Sequence, residues 1–538
     1  MKQKLLSVCG LYLFLMLPIH AQDILWEKSY GGKHADYLFD AQPTADYGFI
    51  LAGSSLSGKT GSKTDDNNGD LDYWVWKMDE NGEPDWQKSL GGSGADKLYS
   101  IRNTHDGGFI LAGTSDSQAG PQKKEACRGH EDAWVVKLNA KGAEEWQKTI
   151  GGTGQDLIKS IVPTADGGYI LAGSSASGIS PLILKDGADP YGKSEKCRGN
   201  LDYWIVKLDE KGTIAWQRTL GGQYADVLES IAQTKDGGYI VGGYSNSPAS
   251  PDKGHDGYGA GDYWIVKLDK DGTPQWQKTL GGEEDDHLYT IIQTKDGGYM
   301  AGGNSASAAS GNKSRANRKG TDIWVVKLDE TGEVLWQETY NTGAVDVLTS
   351  MVENNDGTVL IGGYAQTEML GTAKKDKKEI NDYIAFKIAA DGEELWKKTV
   401  GSHGEDILKK LLETRDGGYL LTGTSMGVIS GDKNSGKGSN DFWVVKLRDK
   451  EKKEKPEKKA SIEAIPNPAT QFTNIIVGFD FISGTATVFD LSGRLMQSFP
   501  VTSRTIPVEL NGYPEGMYIV EVKTNAGTES VKVLKSSN

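Results

Sequence analysis

Seven tryptophans, Trp26, Trp86, Trp146, Trp216, Trp276, Trp336 and Trp396, recur every 60 residues, with a single step of 70. A chain that repeats at such a period folds as an array of like units, and the repeat outranks any local signal. One unit reads DYWIVKLDKDGTPQWQKTLGGEEDDHLYTIIQTKDGGYMAGG from Asp262 to Gly303. Four stretches in each unit have strand character; from Leu288 they are LYTIIQT, GYMAGGN, DIWVVKLD and LWQETY. The first two are joined by a DGG turn, as at Asp106, Asp166, Asp236, Asp296 and Asp416, because glycine tolerates the positive φ of a tight hairpin. The third and fourth are joined almost as tightly, as from Asp209 to Gly212.

The third stretch is apolar on both faces, as at Tyr203 to Val206, so its sheet must be covered on both sides. Blades packed radially satisfy that demand, and the chain is expected to be all-β, a seven-bladed β-propeller over residues 22–448. The repeats open on a fourth-type strand, Ile24 to Tyr30, and stop after a third-type strand, Asp441 to Leu447. These fragments complement each other, so the N-terminal strand should complete the last blade and remove an exposed edge. A linear solenoid would carry capping repeats instead. Both tight turns then lie on one face. The other face takes the GGxxxD connections and the long second-to-third loops, among them Ser54 to Leu71, Ser174 to Leu201 and Thr424 to Asn440, and binding is expected there.

The first 21 residues, with Lys2 and Lys4, an apolar run from Leu11 to Ile19 and Ala21 at the end, have the layout of a cleaved export signal. Cys9 precedes that run, the wrong side for lipid attachment. Loss of the two lysines deepens the net charge from −14 to −16, which argues against nucleic acid or anionic membranes as partners. No later segment is apolar enough to span a bilayer. Cys127 and Cys197 occupy matching places in neighbouring repeats, and an oxidising compartment permits a disulfide if their Cα atoms come within about 7 Å. Residues 449–461 form a charged, proline-containing linker. Residues 462–538 change to short β patterns that suggest a small Ig-like sandwich.

That last segment carries PNP at Pro466, Asn467 and Pro468, VFDLSGR with Asp490, Gly493 and Arg494, and PEGMYIVEV with Gly516 and Tyr518. It resembles the type A C-terminal sorting domain of the type IX secretion system of Bacteroidetes. The resemblance implies passage through the periplasm, recognition by an outer-membrane translocon, and release or attachment at the cell surface. The repeats are similar, more weakly, to quinoprotein-like propellers, a likeness that speaks to fold and not to activity.

An aspartate precedes the first strand of every unit: Asp36, Asp96, Asp156, Asp226, Asp286, Asp346 and Asp406. Another opens every third strand: Asp72, Asp132, Asp202, Asp262, Asp322, Asp382 and Asp441. Two readings are open: blade-building parts that accept backbone N–H groups, or an acidic collar at the channel mouth. His34 with Asp36, and His403 with Glu405 and Asp406, break the symmetry on loops that ring closure makes neighbours. They are candidate binding residues, able in principle to hold a metal or act as a base. Asp66, Asn68, Asp70 and Asp72 form an oxygen-rich loop that calcium could occupy, although their order departs from an EF-hand. No other cofactor is expected. The fold and these residues suggest an exported, non-catalytic module for a glycan, a peptide or a surface protein. A secreted polysaccharide-active enzyme and a structural surface-layer component are the alternatives.

Overall fold

The computed structural model describes residues 22–181, 189–318, 320–367, 380–450, 462–479 and 481–536. The expected export signal and most of the linker lie outside them. From Asp23 to Arg448 the described strands form seven four-stranded antiparallel sheets. Each blade is named here by its inner strand: Asp36–Pro43, Asp96–Asn103, Asp156–Pro163, Asp226–Gln233, Asp286–Gln293, Asp346–Glu353 and Asp406–Glu413 for blades one to seven. Each inner strand packs on the next, and that of blade one meets that of blade seven, which closes the ring around a central channel. Closure is made as the sequence implies: Asp23–Tyr30 pairs antiparallel with Asp441–Arg448 and supplies the outer strand of blade seven.

The repeated residues hold blade to blade. Third-strand side chains are buried throughout blades one to five and from Asp441 to Leu447 in blade seven, and Trp74, Trp134, Trp204, Trp264, Trp324 and Trp443 fill the spaces between sheets. Tyr203 donates its hydroxyl proton to the Trp264 carbonyl one blade on, at 2.8 Å, and Tyr73 and Tyr263 repeat the contact. Within a blade, Trp204 Nε1–H donates to Gln217 Oε1 at 3.1 Å, and Gln217 Nε2 donates to the Gly192 carbonyl. The long loop is thereby tied to the outer strand. In blade seven the partner of Trp443 comes from the other end of the chain, Glu27 Oε2 at 2.7 Å.

The period-defining tryptophans sit at the rim. The Trp146 ring covers the turn between the third and outer strands of the next blade, where Gly212 has φ +80°. A Cβ there would stand 2.8 Å from the ring. Trp86, Trp216, Trp276 and Trp336 cover the equivalent turns of their neighbours in the same way.

Residues from Ile462 to Lys535 form a three-stranded and a four-stranded antiparallel sheet around Ile475, Val477, Val488, Val508, Val520 and Val533. The motif residues build its turns. Asn467 ties the start of the domain to its last strand, donating to the Lys532 carbonyl and accepting from Leu534 N–H, both at 2.8 Å. Pro466 and Pro468 both follow cis peptide bonds. Asp490 accepts the N–H groups of Ser492 and Arg494 around Gly493, and the Tyr518 hydroxyl donates to the Pro514 carbonyl beside Gly516 at 2.7 Å.

This domain rests on the tight-turn face of the propeller. Lys141 pairs with Glu509 at 2.5 Å and Arg504 with Glu80 at 3.1 Å. Tyr47 hydrogen-bonds Glu463, and the Arg415 guanidinium lies 3.4 Å from the centre of the Tyr47 ring. Every propeller residue in these contacts belongs to a tight turn of blades seven, one or two.

Cys127 and Cys197 are free thiols in this structure, so the disulfide that the sequence permits is not formed in it. Each is turned toward its own blade: Cys127 Sγ hydrogen-bonds the Ser115 carbonyl at 2.6 Å, and Cys197 does the same with Ser175. Burial raises the thiol of Cys127 to about 12, with the carboxylate of Asp132 adding to the effect.

Candidate functional site

Every inner strand carries a β-bulge at the same place, with register shifts between Leu38 and Asp40, Leu98 and Ser100, Ile158 and Ser160, Leu228 and Ser230, Leu288 and Thr290, Leu348 and Ser350, and Leu408 and Lys410. A bulge leaves its extra residue out of the ladder and re-aims its side chain. The seven extra residues are Phe39, Tyr99, Lys159, Glu229, Tyr289, Thr349 and Lys409, all half-buried and each preceded by a buried leucine or isoleucine. They form a ring inside the channel, and no two neighbours in it are alike.

One side of this ring is aromatic and polar. The Tyr244 ring from blade four stacks on His287 of blade five, with centroids 4.0 Å apart and planes within 11°. Tyr289 lies 6.4 Å from His287, and Tyr244, Tyr364 and Glu229 lie within electrostatic reach of its hydroxyl. Asn304 stands beside Tyr289 with an Oδ1 that is buried and unpaired among the described residues. Burial pushes Tyr289 up to about 12 and also raises Tyr244 and Tyr364. Burial lowers His287, which favours its neutral form despite nearby Asp285 and Asp286. Burial likewise raises Glu229, while Lys159 and Lys409 oppose the shift.

The opposite side carries the ammonium groups. Lys159 Nζ stands 4.3 Å from the centre of the Tyr99 ring and Lys409 Nζ 5.8 Å from that of Phe39. Phe39 and Tyr99 meet edge to face at 5.0 Å. The site thus combines flat apolar faces, a carboxyl, two cations and amide and hydroxyl groups at the axis of a rigid ring.

The residues singled out from sequence lie elsewhere. Asp36 and Asp406 are fully buried: Asp36 Oδ2 accepts Gly32 N–H at 2.7 Å and Asp406 Oδ2 accepts Ser402 N–H at 2.6 Å. Asp96, Asp156, Asp226 and Asp286 repeat this bond at 2.7 Å, so the first set shapes the connections between blades and forms no collar at the mouth. His34 and His403 are exposed; their backbone N–H groups donate to Ser57 and Ser430. Glu405 accepts from Asn381 Nδ2 at 2.6 Å.

The structure does not gather the proposed calcium ligands. Asp72 is buried and accepts Asn68 N–H at 2.7 Å, while Asp66 is exposed and accepts Lys59 N–H at 2.8 Å. Asn68 and Asp70 are exposed. Among the described residues no three His, Cys, Asp or Glu side chains converge as metal ligands. A cleft of about 700 Å³ also opens at the rim, between the outer strands of blades seven and one, lined by Tyr30, Trp76 and Trp86. Trp86 of its lining recurs in every blade, while Tyr30 and Trp76 do not.

Residues 463–536 match the family of secretion system C-terminal sorting domains. The chain is therefore an all-β propeller carrying a sorting tail, and that tail implies type IX secretion to the cell surface or beyond. No helix among the described residues is long and apolar enough to cross a membrane. The chain is 22% identical over 230 residues to the regulatory protein FlaEY of Caulobacter vibrioides, a match that takes in 41% of this chain and 23% of that protein's length. Among solved structures it is similar to Sqt1 from Chaetomium thermophilum, at 12% identity over 85% of this chain and 97% of that one, with a TM-score of 0.39. It is also similar to the Pan2 WD40 domain of Neurospora crassa, at 10% identity over 65% and 88% of the two chains, with a TM-score of 0.27.

Proposed function

We propose that the chain is an exported, non-catalytic binding module whose channel receives a saccharide from the long-loop face. In this reading residues 1–21 are removed during passage through the periplasm, residues 22–448 bind, residues 449–461 link, and residues 462–538 engage the translocon. One observation carries the binding role: Tyr244, His287, Tyr289 and Tyr364 line one wall of a channel that also presents Glu229 and Asn304. Sugar rings have apolar C–H faces and a rim of hydroxyls, so flat aromatic faces beside a few fixed polar groups suit them. The rigid ring supports affinity because little ordering entropy is lost on binding.

Hydrolysis of a glycoside ordinarily uses two carboxylates flanking the bond. The bulge ring offers one, Glu229, with ammonium groups around it, which supports holding a sugar over cleaving it. The sorting domain contacts tight turns, on the face away from the long loops. A glycan array probed with the chain from residue 22 onward, followed by calorimetry, tests the reading. Tyr289→Ala and Tyr244→Ala should each weaken binding about tenfold or more with unchanged melting, on the scale of about 1–2 kcal/mol for a lost aromatic contact. Product release from the same glycans, abolished by Glu229→Gln, would replace binding with catalysis.

A further inference from the structure

Three charges share the middle of this molecule and act on one another only at a distance. Lys159, Glu229 and Lys409 are all bulge residues, and among the described residues none of them makes a hydrogen bond or ion pair; the two lysines stand over aromatic rings. Other enclosed cations in the propeller are tied down. Lys63 donates to the Ser57 carbonyl at 2.5 Å and to Asn67, Lys77 pairs with Asp46 at 2.5 Å, and Lys410 faces Asp40 at 4.0 Å. A charge drawn out of bulk water and left unpaired is expensive. Three separate bulges nevertheless aim these three side chains at one axis.

The arithmetic of the ring decides what would satisfy them. Two ammonium groups against one carboxylate leave a surplus of one positive charge, within a chain whose net charge is −14. A monoanion balances that surplus; a dianionic phosphate would exceed it and would be repelled by Glu229. We infer that the channel binds an acidic sugar, with the sugar's carboxylate between Lys159 and Lys409 and its hydroxyls toward Glu229 and the aromatic wall. This deepens the saccharide reading and rests on it. The bulge residue lies two positions below the first channel-facing residue of its strand, roughly 7 Å at the usual rise.

Calorimetry on the chain from residue 22 onward, with galacturonic acid oligomers and galactose oligomers of equal length, tests this. The acidic series should bind at least tenfold more tightly at low salt, and the preference should shrink as salt is raised. Lys159→Met and Lys409→Met should each bring the acidic-to-neutral ratio toward one. Glu229→Gln should move it the other way, tightening the acidic ligand, a sign that mere loss of a polar contact would not give. Circular dichroism melts confirm that each variant is folded. Equal affinity for both series overturns the acidic preference and leaves the saccharide reading standing. Acidic binding indifferent to both lysine changes places the site elsewhere and overturns the inference. Binding of neither series overturns both.

Discussion

The residues that recur in every blade carry stability, and their chemistry is visible in titration. Burial raises Asp72, Asp132 and Asp262 to about 6, and the next blade's Asp96, Asp156 and Asp286 add repulsion. Their Oδ1 atoms find no donor among the described residues. At the junction of blades five and six a donor is present: Asn341 stands where the other connections have glycine and gives its Nδ2 proton to Asp322 Oδ1 at 2.7 Å. A carboxyl whose folded pKa exceeds its unfolded value of about 4 holds its proton more tightly when folded. Stability therefore increases as pH falls from about 6 toward about 4. Asp166, Asp236 and Asp296 act oppositely: burial alone would raise them, but hydrogen bonds from threonine and lysine side chains hold them at about 2. Their contribution is complete above about 4 and disappears as pH falls toward about 2. Melting temperature should thus peak at mildly acidic pH. Asp132→Asn should raise stability at pH 8 by on the order of 1 kcal/mol and flatten the rise between pH 7 and pH 5. A melting temperature that climbs steadily from pH 5 to pH 8 would contradict this account.

At the scale of strands and turns, what the sequence disclosed and what it concealed have separate causes. Strand order, the DGG turns and the closing ribbon were legible because repetition displays the same pattern seven times. The site was hidden by the inner-strand bulges. An alternating pattern predicts which residues share a face only while the period stays at two, and the extra residue at Glu229 or Lys409 resets it. The one available clue was the loss of repetition. Tyr244, Asn304 and Tyr364 stand where other blades have Ser54, Thr114, Ser174 and Thr424, yet an isolated departure looks like drift until the fold lines it up around an axis. The rim turns give a sharper test of what repetition means. Gly212 and Gly167 both have positive φ, +80° and +85°, but a Cβ at Gly212 would strike the Trp146 ring whereas one at Gly167 would meet nothing within 4 Å. Gly167→Ala should cost about 1–2 kcal/mol for backbone strain alone. Gly212→Ala should exceed it by a further 1–3 kcal/mol, roughly the cost of overpacking. Equal losses in denaturant titrations would mean that the tryptophan does not latch the blades.

For the whole molecule, closure governs everything else, because a channel exists only if blade one is held against blade seven. The ribbon Asp23–Tyr30 supplies the outer strand of that blade, buries Tyr30, and gives Glu27 to the indole of Trp443. In five other blades the acceptor is a glutamine, as Gln217 is for Trp204. Removing residues 22–30 would strip a ladder of backbone hydrogen bonds worth about 1 kcal/mol each and about 2 kcal/mol of tyrosine burial. It would also expose the edge of Asp441–Arg448, a strand buried along nearly its whole length and thus prone to pair with other chains. The truncated chain should lose on the order of 5–10 kcal/mol, self-associate, and lose saccharide binding although every channel residue remains. A synthetic peptide of residues 22–31 added in trans should restore the melting temperature in proportion to its occupancy. Glu27→Gln, which installs the acceptor the other blades use, should leave melting within about 2 °C of the parent chain, a change well below 1 kcal/mol. The pair of outcomes is diagnostic. Loss on truncation with tolerance of Glu27→Gln identifies the ribbon as a blade strand, whereas a truncated chain that melts and binds normally would show that the ring is held without it.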